Sequence, residues 1–409
     1  MPYDRHPVRH ARSTPGAVEA DLLLEPWLSS VRDQVGGLEL FDCHTHVGCA
    51  DPDGSCFAAG ELLEAMDIVG ERAVVFPLAE PGSYREANDS VLAAAARSGG
   101  RLTPYCRVDP VRDGLAELER AVTRGAAGLK LHPRAERFTL ATPEVERLFA
   151  FADERRLPVI VHAGRGIPSL GADALALARR HEHAPVILAH AAIADLAWIW
   201  RQAADQPNLF FDTAWWNTAD QLALFSLIPP GQILFASDAP YGRPVASATL
   251  ALRAALAAGL DAGQIRMVFG GQLERLLTGR EPFDLGPAPG GTVQAPGPLL
   301  ERIHTLLVAA SARLSAGYPA EEYLDLARLA CSLPDSHPDA GVAASVRELL
   351  DRHAAHLASD PPRRGPRVPG VHLIFVAAAV ARTPWLPVPD PDALAGGETE
   401  ALATGAGSR

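Results

Sequence analysis

The sequence predicts an α/β protein, a (β/α)8 TIM barrel followed by a small helical C-terminal domain. Three observations carry that reading. Eight short β-rich runs recur at intervals of roughly 25 to 35 residues. Helix-like segments fill the gaps, which is the signature of βαβ units and a parallel sheet. Polar residues gather at the C-terminal ends of the runs, where a closed parallel barrel keeps its chemistry.

In chain order, residues 1–37 read as an N-terminal arm and a leading helix, the first 20 as a loose segment. The barrel spans 38–284. Its strands are expected at 38–46, 72–80, 101–109, 126–133, 157–164, 184–192, 208–214 and 232–240. Each run is apolar, β-branched or aromatic and is bounded by turn residues. Between them, "TPEVERLFAFADERR" has Thr142 as N-cap and Pro143 in the first turn, and "LGADALALARRH" follows the fifth strand as a helix. No GxGxxG follows the first strand, which counts against a dinucleotide fold. Residues 285–298, "LGPAPGGTVQAPGP", form a Pro/Gly linker. Helical periodicity returns in "LLERIHTLLVAASARL", "AEEYLDLARLAC" and "VAASVRELLDRHAAHL", and "PGVHLIFVAAAVAR" adds one apolar helix too short to span a bilayer. The helical domain covers 299–382, and 383–409 reads as a disordered tail.

Composition narrows the function. The chain is 48% hydrophobic and 21% charged, an ordinary globular balance with room for a large core. The net charge of −12 argues against nucleic acid or an anionic membrane as partner. No long uncharged apolar run and no signal-peptide pattern is present, so neither a membrane span nor secretion is expected. Five cysteines without a CxxC pair favour a reduced, cytoplasmic setting, with Cys49 and Cys56 as free thiols.

The first strand ends in "FDCHTHVG". A strand has a side-chain period of two, so His44 and His46 share one face and Cys43 and Thr45 the other. Two imidazoles at a strand end can grip one metal ion, or hydrogen-bond without one; partners decide. The fourth strand ends with Lys130 and His132, the fifth with His162, the sixth with His190 and the eighth with Asp238, each after an apolar run. One such histidine is ordinarily structural. The first, fifth, sixth and eighth strands converging with four histidines and an aspartate point to a metal, because a buried carboxylate is costly unless paired or metal-bound.

These motifs resemble the amidohydrolase superfamily. "GLKLHPR", "LPVIVHAGRG", "ILAHA" and "ILFASDAPYG" are most similar to its amidohydrolase-2 branch of metal-dependent hydrolases and non-oxidative decarboxylases. The resemblance covers roughly 38–284 and none of 285–409. It implies that His44, His46, His162 and Asp238 hold a divalent metal, most often Zn2+, one per chain being favoured over two. It makes His190 an acid/base group beside that metal, or a further ligand if two ions bind. Three nitrogens and an oxygen suit zinc, and Asp238 can take a proton from the attacking water.

Lys130 is the sole lysine among 37 basic residues. Arginine serves wherever a plain positive charge suffices, so the amine itself has a use. It shares the barrel-facing side with His132. Substrate binding or acid/base work in a one-metal site, a carboxylated lysine bridging two metals, and an ion pair with Asp109 or Glu80 are the three readings. Arg107, Arg134, Arg165 and Arg243 stand at strand ends where one or two could clamp an anionic substrate. Trp215 and Trp216 wall an apolar pocket or pack under their loop, and Tyr84 and Tyr241 are undecided in the same way.

The expected activity is a metal-dependent hydrolase acting on an amide, lactone or ester. Its rivals are a decarboxylase of an aromatic or unsaturated acid, and a metal-bound scaffold without turnover. The expected catalytic residues are Asp238, His190 and Lys130, with Lys130, His132, Arg107, Arg165 and Trp215 binding a small-molecule substrate that can bear a carboxylate. The C-terminal helices could lid the barrel, make a homo-oligomer or bind another protein.

Overall fold

The computed structural model describes residues 16–52, 54–112, 114–164, 169–291, 293–359, 370–390 and 394. Among the described residues nine parallel strands build the wall: β1 (Phe41–Val47), β2 (Arg72–Pro77), β3 (Leu102–Pro104), β4 (Cys106–Arg107), β5 (Leu129–Leu131), β6 (Val159–Val161), β7 (Val186–Leu188), β8 (Leu209–Asp212) and β9 (Ile233–Leu234). Each of the eight expected runs contains a strand. The third run is split at Tyr105, so β3 pairs with β2 and β4 pairs with β5. Tyr105 N still donates to Val75 O and Cys106 N to Gly128 O, which carries the wall across the break. A Cβ on Gly128 would fall 2.5 Å from the Tyr105 ring, so that crossing needs glycine.

The wall closes where the residues after β9 run beside β1. Cys43 N donates to Phe235 O, Asp238 N to His44 O and His46 N to Ala239 O. Side chains alternate as a barrel requires. Lys130, Ile160, Ile187 and Phe210 are in register across β5 to β8 and line the inside. Their neighbours Leu129, Leu131, Val159, Val161, Val186 and Leu188 face the helices in a continuous apolar layer.

β1 departs from simple alternation. Its register against β2 shifts between Asp42 and Thr45, where one extra residue is accommodated. This bulge lets Phe41 and Cys43 join the interior apolar cluster while His44 and His46 still reach the mouth. A bulge re-aims side chains in this way at barrel rims.

Helices cover the outside, among them Ala59–Val69, Arg85–Arg97, Gly114–Thr123, Pro143–Arg155, Gly171–Arg180, Leu196–Ala203, Thr218–Leu227 and Pro244–Ala258. Thr142 precedes Pro143 in extended conformation, but its hydroxyl donates back to Thr139 O instead of capping the helix. The leading helix is Gly16–Arg32, so residues 16–20 belong to it; residues 1–15 lie outside the described residues.

Past the barrel lie helices Pro298–Ser315, Glu321–Ala330, Ala340–Ser359 and Val371–Arg382. Their apolar faces (Leu300, Ile303, Leu307, Leu349, Leu373, Val376) merge into the same cluster as the barrel's outer layer. Helix Pro244–Ala258 is buried from Pro244 to Ala255 because the leading helix and Val371–Arg382 both pack on it. Trp27 on the leading helix donates to Ser345 Oγ at 2.9 Å.

Two expectations change here. Residues 383–390, expected to begin a disordered tail, are fixed by Arg253, which donates to Thr383 Oγ1, Thr383 O and Pro387 O. Most of 391–409 lies outside the described residues. Cys49 and Cys56 form a disulfide instead of standing as free thiols, while Cys43, Cys106 and Cys331 are free and buried. The pairing follows from the mutual Gly48–Phe57 backbone hydrogen bonds, which bring the two sides of the loop after β1 together. Among the described residues no helix is long and apolar enough to cross a membrane.

Candidate metal centre

β1 and the turn after β9 supply the centre. His44 Nε2 and His46 Nε2 are 3.2 Å apart, and Asp238 Oδ1 lies 3.1 Å from each. Atoms bound at 2.0 to 2.2 Å around one ion sit about 3.0 to 3.5 Å from each other, so this triangle fits one divalent cation. Two carboxylates hold it from behind. Asp212 at the end of β8 accepts from His44 Nδ1 at 2.7 Å, which turns Nε2 inward. Asp42 accepts from His44 N at 2.8 Å and from Ser237 N at 3.1 Å, tying β1 to the segment that carries Asp238.

A second pair of nitrogens lies alongside. His162 Nδ1 and His190 Nε2 are 3.0 Å apart. His190 Nδ1 donates to Ala214 O at 2.8 Å, and His190 N donates to Asp212 Oδ1, so Asp212 braces both histidine groups. His44, His190 and Asp238 have ligand atoms within 4.8 Å of one another, and His162 joins through His190. His132 stacks on the His162 ring at 3.8 Å and accepts from Ala135 N as a helix cap. A Cβ on Gly164 would come within 2.7 Å of the His190 ring, so the glycine of "HAG" lets the two histidines meet. His190, Ala191, Ala192 and Asp238 all have φ between 48° and 59°. Such left-handed backbone on residues with a Cβ is held by its surroundings and concentrates at working sites.

Lys130 Nζ is 3.0 Å from His44 Nε2 and 4.7 Å from the centre of the Phe76 ring, fully buried. Burial lowers its pKa to about 8 against the pull of Asp238. Burial also raises Asp238 to about 6, opposed by His190 and Lys130, and raises Asp42 and Asp212 to about 7 each. Burial first, then the Lys130 charge, push His44 and His46 well below the usual histidine range. The imidazoles are therefore neutral, the form that binds metal.

The family model described as Amidohydrolase, the amidohydrolase-2 branch, matches residues 41–277. The chain belongs to this amidohydrolase family. Among solved structures it is similar to 2,6-dihydroxybenzoate decarboxylase from Rhizobium, at 14% identity over 59% of this chain and 99% of that one, with a TM-score of 0.49. It is similar to 5-carboxyvanillate decarboxylase from Sphingomonas paucimobilis at 17% identity, over 59% and 99% of the two chains, with a TM-score of 0.47. It is similar to 4-oxalomesaconate hydratase from Rhodopseudomonas palustris at 17% identity, over 59% and 96%, with a TM-score of 0.44. No match is found among curated protein sequences.

Within this amidohydrolase, the remaining predicted residues divide. Arg107 lies in the wall beside His46, but its Nε and Nη2 both donate to Glu136 Oε1 and its Nη1 to Pro77 O. Glu136 also accepts from Tyr84 Oη, so Arg107 and Tyr84 are engaged with a carboxylate four residues beyond the His132 strand end. Arg243 pairs with the buried Asp21 of the leading helix. Arg134 is exposed, and Arg165 lies outside the described residues. Trp215 is buried, donates to Asp220 at 2.6 Å and stacks with Trp216 at 6.0 Å, next to the Ala214 carbonyl that holds His190. Tyr241 lies edge-on to His46 at 5.7 Å and donates to Asp51 at 2.6 Å. Asp212, Asp42 and Glu136 were not singled out in the sequence. Asp212 had the same signal as Asp238, an aspartate closing an apolar run ("NLFFD"). Glu136 had none, because its partner is 29 residues away.

Proposed function

We propose that this family member is a zinc-dependent hydrolase that opens an amide, lactone or ester with one ion per chain. The observation that carries it is the His44–His46–Asp238 triangle, whose 3.1 to 3.2 Å edges suit three ligands of one ion. The bound ion would supply an activated water and polarise the substrate carbonyl. Asp238 Oδ1 would hold the ion, and Oδ2, 4.0 Å from His190 Nδ1, would be left for proton transfer. That second oxygen could take a proton from water and return it to the leaving group. Lys130, with a pKa of about 8, is charged for most molecules at neutral pH and binds the substrate's carbonyl oxygen or carboxylate. His162 and His190 alone offer two nitrogens, short of a closed second site unless Lys130 is carboxylated. Hydrolysis is preferred to decarboxylation because Arg107 and Arg243, two of the candidate carboxylate clamps, are already paired with Glu136 and Asp21. The Cys49–Cys56 disulfide takes away the free-thiol ground on which a reduced, cytoplasmic setting was expected.

The test is metal content by elemental analysis of protein purified without added metal, with turnover assayed on amide, lactone and ester panels. About one zinc per chain, and hydrolysis without CO2 release, is the expected result. Two ions would move Lys130 to a bridging role. CO2 release from aromatic acids would replace the hydrolase by the lyase. No binding even with metal supplied would sink both.

A further inference from the structure

β1 carries two of the three ligand residues and runs directly into a short covalent ring. Cys49, three residues after His46, is joined to Cys56, seven residues further on. Gly48 and Phe57 exchange backbone hydrogen bonds at 2.9 and 2.8 Å, which closes the neck of the ring. Inside it, Gly54 N donates to Asp51 O at 2.8 Å. That turn sets the buried Asp51 side chain where it accepts from Tyr241 Oη at 2.6 Å. Tyr241 belongs to the other segment that builds the centre. Its N–H donates to Asp238 O at 2.8 Å, and its ring stands edge-on to His46 at 5.7 Å. The Asp51–Tyr241 hydrogen bond therefore ties the β1 side of the site to the Asp238 side, across 190 residues of sequence. Cys49 is exposed and Cys56 half-buried, whereas Cys43, Cys106 and Cys331 are buried free thiols. The pair beside the barrel mouth is thus the one that a reagent in solvent can reach.

We propose that the Cys49–Cys56 pair is a redox-modification site that sets the metal affinity of the centre, with a dithiol as its reductant. A thiolate of the dithiol attacks the exposed Cys49 sulfur, and Cys56 leaves as a thiolate. The second thiol of the reagent then displaces Cys49 and closes the reagent's own disulfide. Two electrons and two protons pass to the protein, one S–S bond being exchanged for another and two S–H groups being left on the pair. Without the cross-link, the opened loop has more conformations to visit and is more populated. Asp51 then spends part of its time away from Tyr241, and the Asp238 turn loses a tie to β1. Asp238 Oδ1 no longer keeps its 3.1 Å spacing from His44 and His46. A three-ligand site tolerates little such drift. The inference rests on the metal reading above.

The experiment uses the full chain in four forms: oxidised, reduced with dithiothreitol and capped with iodoacetamide while folded, Cys49→Ser/Cys56→Ser, and Tyr241→Phe. Capping and the serines keep freed thiols from binding the added metal. Mass spectrometry after capping in denaturant should count three thiols before reduction and all five after it. Co2+ affinity is measured by chelator competition after the reagents are removed. It should fall roughly three- to tenfold in the capped chain and in the double serine variant, the fold-change of one typical hydrogen bond. Tyr241→Phe keeps the ring against His46 and should lower the affinity of the oxidised chain by the same factor. Added to the two serines it should cause no further loss, because both changes act through the Asp51–Tyr241 tie. In metal-free protein, the His46 ring-proton NMR signals should shift on reduction, since they sense the edge-on Tyr241 ring. Five thiols before reduction would overturn the proposal. So would affinity or His46 signals that ignore reduction, or losses that add in the triple variant. An oxidised chain that binds no metal sinks the metal reading instead, and the His46 signals still decide whether the pair governs the tie.

Discussion

At the scale of single residues, the centre works by making buried carboxylates choose between protons and partners. Asp212 is the residue on which most depends, since one oxygen orients His44 and the other receives the His190 and Ala214 amides. Asp212→Asn keeps the shape and removes the charge. We expect it to reduce metal affinity by roughly 10- to 100-fold, the usual effect of losing such a carboxylate behind a ligating histidine. Chelator competition measures it, and a change below twofold would show that Asp212 is merely filling space. The pH dependence follows from signs. In the proposed site Asp238 would have to be an anion to hold the ion, and its raised pKa of about 6 means that protons compete below that value. Affinity should therefore climb up to about tenfold per pH unit below pH 6. A shallower rise should continue toward pH 8 as Lys130, with a pKa of about 8, loses the charge that repels the cation. His44 and His46, held well below 6.5, add no step in that window. A titration of Co2+ affinity that is flat from pH 5 to 8 would contradict this.

At the scale of elements, small irregularities do the aiming. The β1 bulge brings Cys43 into the barrel without turning His44 and His46 away, which strict alternation would forbid. The left-handed turn at 190–192 and the Asp238 turn each begin directly after a buried strand segment, so His190 and Asp238 stand at fixed heights on the wall. Helix Pro244–Ala258 carries the other decisive element-level contact. Arg253 has no solvent exposure, and burial lowers its pKa to about 9. Its three hydrogen bonds to Thr383 and Pro387 seat the chain after the last long helix. Arg253→Met preserves the volume and leaves buried carbonyls without donors. It should cost roughly 2 to 4 kcal/mol, because each abandoned buried acceptor costs about 1 to 3. Urea denaturation reads this directly, and a loss under 0.5 kcal/mol, taken as roughly the surface-substitution level, would mean that water replaces the guanidinium.

At the scale of the molecule, much was legible before any coordinates. The eight strands could be read because apolar runs, turn residues and helical spacers are local signals, and local signals survive in a one-dimensional string. His44, His46, His190 and Asp238 were visible because polar residues at the ends of apolar runs are rare without a use. The four C-terminal helices were visible from their periodicity. Pairing was not legible. Nothing near Arg107 announces Glu136, and nothing near Asp21 announces Arg243. Cys49 and Cys56 read as ordinary thiols until the Gly48–Phe57 bridge set them together. The tail after residue 382 read as disordered because its composition is Pro-rich, yet a buried arginine on another helix captures its first residues. The sequence by itself determined the barrel, the residue types at its mouth and the amidohydrolase resemblance, since hydrophobic period and strand-end chemistry are written along the chain. Only the tertiary structure decided which carboxylate braces which histidine, which arginines are already occupied, and that the C-terminal helices share the barrel's core. Those outcomes depend on closing long loops, and the geometry of closure belongs to the folded chain as a whole.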